Sequence, residues 1–288
     1  MGNNTADNAA GDRALKAGSP ERFGYEWHTY SELRQEYEDQ FRRWTAPIDS
    51  SEWRDRTFLD VGCGMGRNSY WPMTWGARGG VAIDVDDASL ASARQTLSGF
   101  PTVTVRKLSA YDIDYRDEFD VAFSIGVIHH LEHPQRALEA MVRAAKPGGK
   151  VLIWVYGYEN NEWIVRLITP LRKWVFSRLP IGFLHWLSWF PAAALWLALK
   201  LGFGRTEYTR QLRTFTFRHL RSIVFDQLLP KIAHYWPRST VESMMSRAGL
   251  VDVKLVAVNE ISWAALGTKP MGGVGTSTGG KPDGGIRT

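Results

Sequence analysis

The sequence predicts an α/β protein with a doubly wound, Rossmann-like parallel sheet and a helical insertion near its end. Short apolar runs alternate with helical patterns between residues 57 and 155, and such alternation is typical of βαβ units. A glycine-rich turn follows the first apolar run, and an acidic residue ends the second. The alternation stops after Tyr156 and resumes near residue 240, so the intervening chain interrupts the sheet.

Five apolar runs predict the parallel strands. They are Thr57–Val61, Gly80–Ile83, Thr102–Arg106, Asp120–Ile125 and Lys150–Val155. Helical patterns lie between them, at Asp87–Leu97 and Pro134–Ala145, and the turn Lys146–Gly149 precedes the fifth strand. Buried parallel strands of this kind need helices on both faces of the sheet.

The chain after the insertion predicts a helix and a pair of strands. The helix covers Thr240–Ala248 and stops at Gly249, a residue that commonly ends helices. The strands Val251–Val258 and Ile261–Leu266 are separated by a short connection, which favours antiparallel pairing.

The composition is that of a globular protein. Of the 288 residues, 44% are apolar and 23% are charged, which excludes a collagen-like or wholly disordered chain. The single cysteine, Cys63, excludes a disulfide scaffold. Because the sequence also lacks the Cys/His spacing of zinc sites, we expect no metal.

Both ends of the chain differ from its centre. Residues 1–20 are small and polar without an apolar run, so we expect a disordered tail and no secretory signal. Residues 268–288 are glycine-rich, and we expect a second flexible tail there. The remaining chain divides into a sheet domain, residues 21–157 and 238–267, and an inserted segment, residues 158–237, called the insertion below.

The turn after the first strand predicts a nucleotide-type cofactor. Its glycines, Gly62, Gly64 and Gly66, follow the pattern Gly-x-Gly-x-Gly and allow the backbone to approach a ligand closely. Asp84 ends the second strand, where a carboxylate accepts hydrogen bonds from ribose hydroxyls. A nicotinamide dehydrogenase usually has Gly-x-Gly-x-x-Gly, and Asp60 before the turn suits a ligand with an ammonium group.

With these motifs the sequence resembles class I S-adenosylmethionine-dependent methyltransferases. Within that family it is most similar to the ubiquinone/menaquinone-type group, which acts on small molecules. The resemblance rests on the turn Asp60–Gly66, Asp84, the stretch Phe119–Leu131 and the turn Lys146–Gly149. It covers about residues 57–155 and the terminal strand pair. It implies a seven-stranded sheet with an antiparallel last strand, a cytoplasmic enzyme, and S-adenosylmethionine as cofactor.

The resemblance also implies a set of cofactor-binding residues. They are Tyr25, Asp60, Gly62, Cys63, Gly64, Gly66, Asp84, Val85, Ala110, Tyr111, Asp112, Ile125 and Gly126. Tyr25 belongs to the stretch Phe23–Trp27, which resembles the short segment that closes over the cofactor in such enzymes. Ser109 is an alternative to Asp112 at the position that usually holds an acid.

Methyl transfer needs alignment of the reacting groups and exclusion of water, and a general base only for an acceptor of high pKa. The candidate catalytic residues are His129, His130, His234 and Tyr235. The two adjacent histidines follow the fourth strand, at the edge where doubly wound sheets bind ligands. The other two lie where the chain re-enters the sheet domain. Alternatively, His129 and His130 have no catalytic role and only form local hydrogen bonds at the start of a helix.

The insertion carries the positive charge of the protein. The stretch Trp163–Arg221 has ten Lys or Arg and one acid, Glu207, and is +9, while the rest of the chain is −4. Leu179–Leu199 contains no Lys, Arg, Asp or Glu and is long enough to cross a membrane. A single crossing would separate strands of one sheet. Three interpretations therefore remain: a segment lying on an anionic membrane surface, a lid over an apolar substrate, or a homodimer interface.

These observations predict a methyltransferase for a small, apolar or lipid-linked acceptor, located in the cytoplasm or peripherally at the membrane. Nucleic acid is not an expected partner, because the basic residues are interleaved with a long aliphatic run. One alternative is an NAD(P)-dependent Rossmann reductase. Another is a non-catalytic, membrane-associated cofactor-binding protein.

Overall fold

The computed structural model of the protein describes residues 36–204, 207–228, 230 and 232–271. The predicted first tail, the stretch Phe23–Trp27 with Tyr25, and residues 272–288 of the second predicted tail lie outside the described residues.

One mixed sheet forms the centre of the described chain. Its strands are β1 (Thr57–Val61), β2 (Gly79–Asp84), β3 (Val103–Lys107), β4 (Phe119–Ile125), β5 (Ala145–Tyr156), β6 (Val251–Val258) and β7 (Ser262–Thr268). Within the described residues they form a seven-stranded sheet in the order β3-β2-β1-β4-β5-β7-β6. The first five strands pair in parallel, and β7 is antiparallel to both β5 and β6. The predicted fold class is confirmed.

The helices fall into two groups. In chain order they are α1 (Glu36–Trp44), α2 (Arg67–Thr74), α3 (Asp87–Thr96), α4 (Pro134–Ala144), α5 (Thr169–Trp174), α6 (Ile181–Leu187), α7 (Trp189–Lys200), α8 (Glu207–Leu212), α9 (Phe217–Leu228) and α10 (Arg238–Arg247). Helices α5 to α9 belong to the insertion, and the others flank the sheet. Local sequence defines several of their starts: the Asp86 carboxylate accepts the Ser89 N–H at the start of α3, and Pro134 opens α4.

Apolar side chains on both faces of the sheet hold this arrangement together. Along β4, Phe123 packs with Phe41 and Trp53 on one face, whereas Ala122 belongs to the cluster on the other face, with Leu138 of α4. Side chains that alternate between faces are what a strand with period two produces. Burial on both faces fixes the register of the central strands, because a shift by one residue would exchange the two faces.

The stretch Lys146–Gly149 was predicted to be a turn before the fifth strand, but it lies within that strand. Strand β5 already begins at Ala145, which pairs with Phe119, and pairing resumes with Lys150 opposite Val121. The stretch is therefore a bulge within the strand pair.

The insertion forms a helical layer built on α9. Leu184 of α6 packs with Phe225 and Leu228, and Leu199 of α7 packs with Leu220. The apolar run predicted from sequence is interrupted at Ser188, between α6 and α7. Within the described residues, Ile181–Lys200 is long and apolar enough to cross a membrane by length and composition alone, and 17% of its most apolar window is buried.

Candidate functional site

A cavity of about 250 Å³ lies at the carboxyl ends of β1, β2 and β4 and extends beneath α9. Its lining comes mainly from the sheet edge, α1 and α9, and also includes Arg67 and Asn68 of α2 and Ser89 of α3. The sheet edge supplies Gly62, Cys63, Gly64, Asp84, Val85, Ser109, Ala110, Tyr111, Ile125, Gly126, His130, Trp154 and Tyr156. Helix α1 supplies Gln40 and Trp44, and α9 supplies His219, Ser222, Ile223 and Asp226. The cavity therefore joins the predicted cofactor site to the insertion.

The glycine-rich turn forms one wall of the cavity. Gly62 has a φ of +78°, and a Cβ atom there would lie 2.4 Å from Cγ2 of Val127. A side chain is thus excluded on both conformational and steric grounds. The N–H groups of Gly62 and Cys63 donate to the Ile83 carbonyl at 2.8 and 2.9 Å. These bonds hold the turn against the end of β2, which presents Asp84.

Asp84 is half-buried, and its carboxylate is held by backbone donors. Its Oδ2 accepts the Gly64 N–H at 2.9 Å, and its Oδ1 accepts the N–H groups of Val85 at 2.7 Å and Asp86 at 3.0 Å. Burial raises the pKa of this carboxyl. An ionised carboxylate offers about four lone-pair sites, so the group retains acceptor capacity for ligand hydroxyls. This geometry fits the ribose of an adenosine cofactor.

Asp60 differs from Asp84 in that it does not line the cavity. It is fully buried, and its Oδ2 accepts the Ser69 hydroxyl at 2.7 Å. Its Oδ1 has no hydrogen-bond donor within the described part of the chain. Burial raises the pKa of this carboxyl to about 7. An unsatisfied buried acceptor is compatible with a cationic ligand group nearby, and the predicted role toward the cofactor ammonium stays a prediction.

Most of the other predicted cofactor residues lie at the cavity. Cys63, Val85, Ala110, Tyr111, Ile125 and Gly126 all line it. Gly66 instead adopts a φ of +83° at the start of α2. The Asp112 side chain is 62% exposed, lies 3.9 Å from Arg136 and is not part of the lining. Ser109, the alternative to Asp112, occupies the cavity wall.

The adjacent histidines have different environments. His130 lines the cavity, and its Nδ1 lies 2.7 Å from the Ile232 carbonyl oxygen. Because a carbonyl only accepts, Nδ1 carries the proton and Nε2 is the acceptor of the neutral ring. Burial lowers the pKa of His130 to about 3, so the ring stays neutral. His129 is fully buried and does not line the cavity. Neither of its ring nitrogens forms a hydrogen bond with any residue that the structure describes.

The candidate catalytic residues His234 and Tyr235 do not line the cavity. His234 stacks on Trp236 with ring centroids 5.4 Å apart, and its backbone N–H donates to the His129 carbonyl at 2.9 Å. Tyr235 stacks behind Tyr156 at 5.3 Å. Tyr235 therefore packs against a residue that lines the cavity, Tyr156, and His234 packs against Trp236, which does not line it.

An acidic group that was not predicted from the sequence lies at the insertion end of the cavity. Asp226 lines the cavity, and its Oδ2 accepts the Tyr156 hydroxyl at 3.1 Å. Its spacing from His219, Ser222 and Ile223 places all four on one face of α9. The sequence contains this spacing. It indicates a cavity wall only when α9 is known to lie over the sheet edge.

Comparisons with known proteins agree with this geometry. A family model described as a methyltransferase domain matches residues 59–153. The tRNA U34 carboxymethyltransferase of Shewanella baltica is 26% identical over 168 residues, which are 51% of this chain and 49% of that protein. The chain thus spans about half the length of the curated relatives that it matches first.

Two solved structures share the fold. Human N-acetylserotonin methyltransferase, in complex with S-adenosylmethionine, has a TM-score of 0.52 and 15% identity, over 89% of this chain and 57% of that chain. The 1,6-didemethyltoxoflavin-N1-methyltransferase of Burkholderia thailandensis has a TM-score of 0.50 and 14% identity, over 88% and 91% of the two chains. These comparisons do not favour a reductase or a non-catalytic protein, and the ubiquinone/menaquinone subgroup stays a prediction.

Fold and family therefore agree on one assignment, with S-adenosylmethionine supported as the cofactor. Residues 59–153 match a methyltransferase-domain family model, and the seven-stranded sheet that contains them has the Rossmann-like methyltransferase fold.

Proposed function

We propose that the protein methylates a small acceptor that is apolar or lipid-linked and binds beneath the insertion. The observation that carries this proposal is a single cavity that reaches from Asp84 at the sheet edge to Asp226 on α9. One cavity lets two ligands meet without solvent between them, which is what group transfer requires.

The cofactor half of the cavity is the glycine-rich side. Asp84 would accept hydrogen bonds from the ribose hydroxyls, and Gly62 and Gly64 would let the backbone approach the ligand closely. When bound, S-adenosylmethionine supplies a methyl group on a positively charged sulfur. The protein would contribute the alignment of the two reactants.

The acceptor half of the cavity is mixed in character. Val127, Leu131, Trp154 and Ile223 give it apolar walls, which supports an acceptor with substantial apolar surface. The polar groups at this end include His130 and Asp226. The neutral His130 ring would orient an acceptor hydroxyl or amine through its Nε2.

Asp226 would take the proton that a hydroxyl or amine acceptor loses as it is methylated. Its carboxylate is held by the Tyr156 hydroxyl at 3.1 Å, and Gln227 Nε2 donates to that same phenol oxygen at 3.1 Å. Burial, and secondarily the Asp226 charge, raise the pKa of Tyr156 well above its ordinary value. Tyr156 therefore remains a donor and keeps the carboxylate in place.

The test is transfer of label from methyl-tritiated S-adenosylmethionine into three separate pools: a total lipid extract, an aqueous small-molecule extract and total tRNA. We expect label in the lipid or small-molecule pool. We expect Asp226→Asn to lower the rate by about 100-fold or more, with little change in S-adenosylhomocysteine affinity.

The exposed Asp87→Asn variant is the matched control for loss of a carboxylate and should retain activity, because Asp87 lies outside the cavity lining. Label confined to tRNA would contradict the proposed acceptor class. Equal rates for the two variants would contradict the role of Asp226.

A further inference from the structure

The insertion exposes an unusual amount of apolar surface. In the described chain, 13 of the 16 large apolar side chains that are well exposed lie between Trp163 and Phe203. Among them, Trp174 is 61% exposed, Trp186 56% and Phe190 51%. Soluble monomers rarely expose large contiguous apolar patches unless these patches bind something. We call this surface, on α5, α6 and α7, the apolar face.

The side chains of the apolar face do not belong to the buried core that the insertion forms. Leu184 and Leu199 are buried against the partners of α6 and α7. Ile181, Leu187 and Leu195 pack against the same clusters, whereas Phe183, Trp186 and Phe190 of these helices are exposed. The stretch Trp189–Leu199 contains no charged or hydrogen-bonding side chain apart from the indole N–H groups. A helix that is apolar all round is normally buried in protein or lipid.

Cationic side chains border the apolar face. The Arg178 guanidinium lies 5.6 Å from the ring of Trp174, and Lys200 Nζ lies 5.7 Å from the ring of Trp196. Arg166 and Arg218 are also exposed, and the sequence from 163 to 221 has one acid, Glu207. Aromatic rings paired with cations at the edge of an apolar surface match the headgroup region of a bilayer that contains anionic lipid.

The topology favours a helical layer that lies on the membrane over one that crosses it. The insertion leaves the sheet at Gly157 and returns at Trp236, and these two residues pair as a β-bridge. The chain therefore departs and returns at one place. Arg221 also ties the junction of α6 and α7 to α9, because it donates to the His185 carbonyl at 2.6 Å and to the Ser188 hydroxyl at 3.3 Å.

We propose that the apolar face docks on the surface of a lipid bilayer containing anionic headgroups, with Trp186 and Phe190 inserted below the headgroups and Arg178 and Lys200 at their level. This inference goes beyond the proposed function. It also places α9, which lines the cavity, directly behind the helices that touch the lipid. Docking requires neither cofactor nor acceptor, so it is measured separately from methyl transfer.

The experiment is flotation of the full chain with vesicles of phosphatidylcholine, with and without phosphatidylglycerol. We expect binding to the anionic vesicles that weakens with added salt. Trp186→Ser/Phe190→Ser should reduce the partition coefficient by about tenfold or more, and Lys200→Glu by about fivefold or more. Val251→Ser and Lys254→Glu, at exposed positions on the edge strand β6, are the matched controls and should bind as the wild type does.

Three results would overturn the proposal. The first is absence of the wild-type protein from the floated anionic vesicles at low salt. The second is unchanged binding by Trp186→Ser/Phe190→Ser. The third is a dimer in solution that this double variant converts to a monomer, without any vesicle binding by the wild type, which would make the apolar face a contact between copies of the chain. Circular dichroism of each variant establishes that it is folded.

Discussion

The hydroxyl of Tyr156 lies 3.1 Å from Oδ2 of Asp226, and this bond joins the central sheet to the insertion. Tyr156 ends β5, and Asp226 belongs to α9. Gln227 donates to the same phenol oxygen, and Tyr235 donates to Gln227 Oε1 at 3.3 Å. The position of α9 over the cavity thus depends on a connected set of half-buried polar residues.

Tyr156→Phe is expected to lower the free energy of unfolding by about 1–3 kcal/mol, because it removes a buried hydroxyl that serves two partners. Urea denaturation measures the change. Tyr158→Phe is the control, since Tyr158 takes no part in this hydrogen-bonded set, and it should change stability by less than about 0.5 kcal/mol. Equal effects of the two substitutions would show that the Tyr156 network contributes nothing.

Gly62→Ala is expected to cost about 2 kcal/mol or more of folding free energy. The residue has a φ of +78°, and the new Cβ would lie 2.4 Å from Val127 Cγ2. Adding Val127→Ala should recover part of the loss, because it relieves the clash but leaves the backbone strain. Gly99→Ala is the control, since a Cβ at Gly99 meets nothing within 4 Å. A Gly62→Ala protein as stable as Gly99→Ala would contradict the described turn.

His129→Leu is expected to flatten the pH dependence of stability in acid. Burial, with smaller effects of His130, His234 and Arg172, lowers the pKa of His129 well below its ordinary value. The unfolded chain therefore binds a proton that the folded chain does not, and stability is lost as the pH falls below about 6.5. The loss between pH 7 and pH 5 should be about 2 kcal/mol smaller in the variant.

Urea denaturation at the two pH values measures this difference. Exposed His133→Leu is the control and should keep the wild-type profile. A wild-type profile in His129→Leu as well would show that His129 is not buried in the neutral form.

The sheet and its cofactor edge could be predicted because their signals are local. Apolar runs with turn residues between them placed β6 at Val251–Val258 as observed, and the glycine-rich turn with Asp84 placed the cofactor edge. The cavity wall could not be predicted in the same way. Whether Ser109 or Asp112 faces the cofactor site depends on the conformation of the loop that carries both residues. The roles of Asp226, His234 and Tyr235 depend on how α9 and the chain after it pack against the sheet edge, and these long-range contacts have no local sequence signal.

In our proposal S-adenosylmethionine binds at the edge formed by Gly62, Gly64 and Asp84, and calorimetric titration with S-adenosylhomocysteine measures this binding. We predict saturable one-to-one binding by the wild-type protein and at least tenfold weaker binding by Asp84→Ala, about 1.4 kcal/mol. Exposed Asp87→Ala should bind as the wild type does. No binding at millimolar ligand, or equal affinity of Asp84→Ala and the wild type, would contradict the claim.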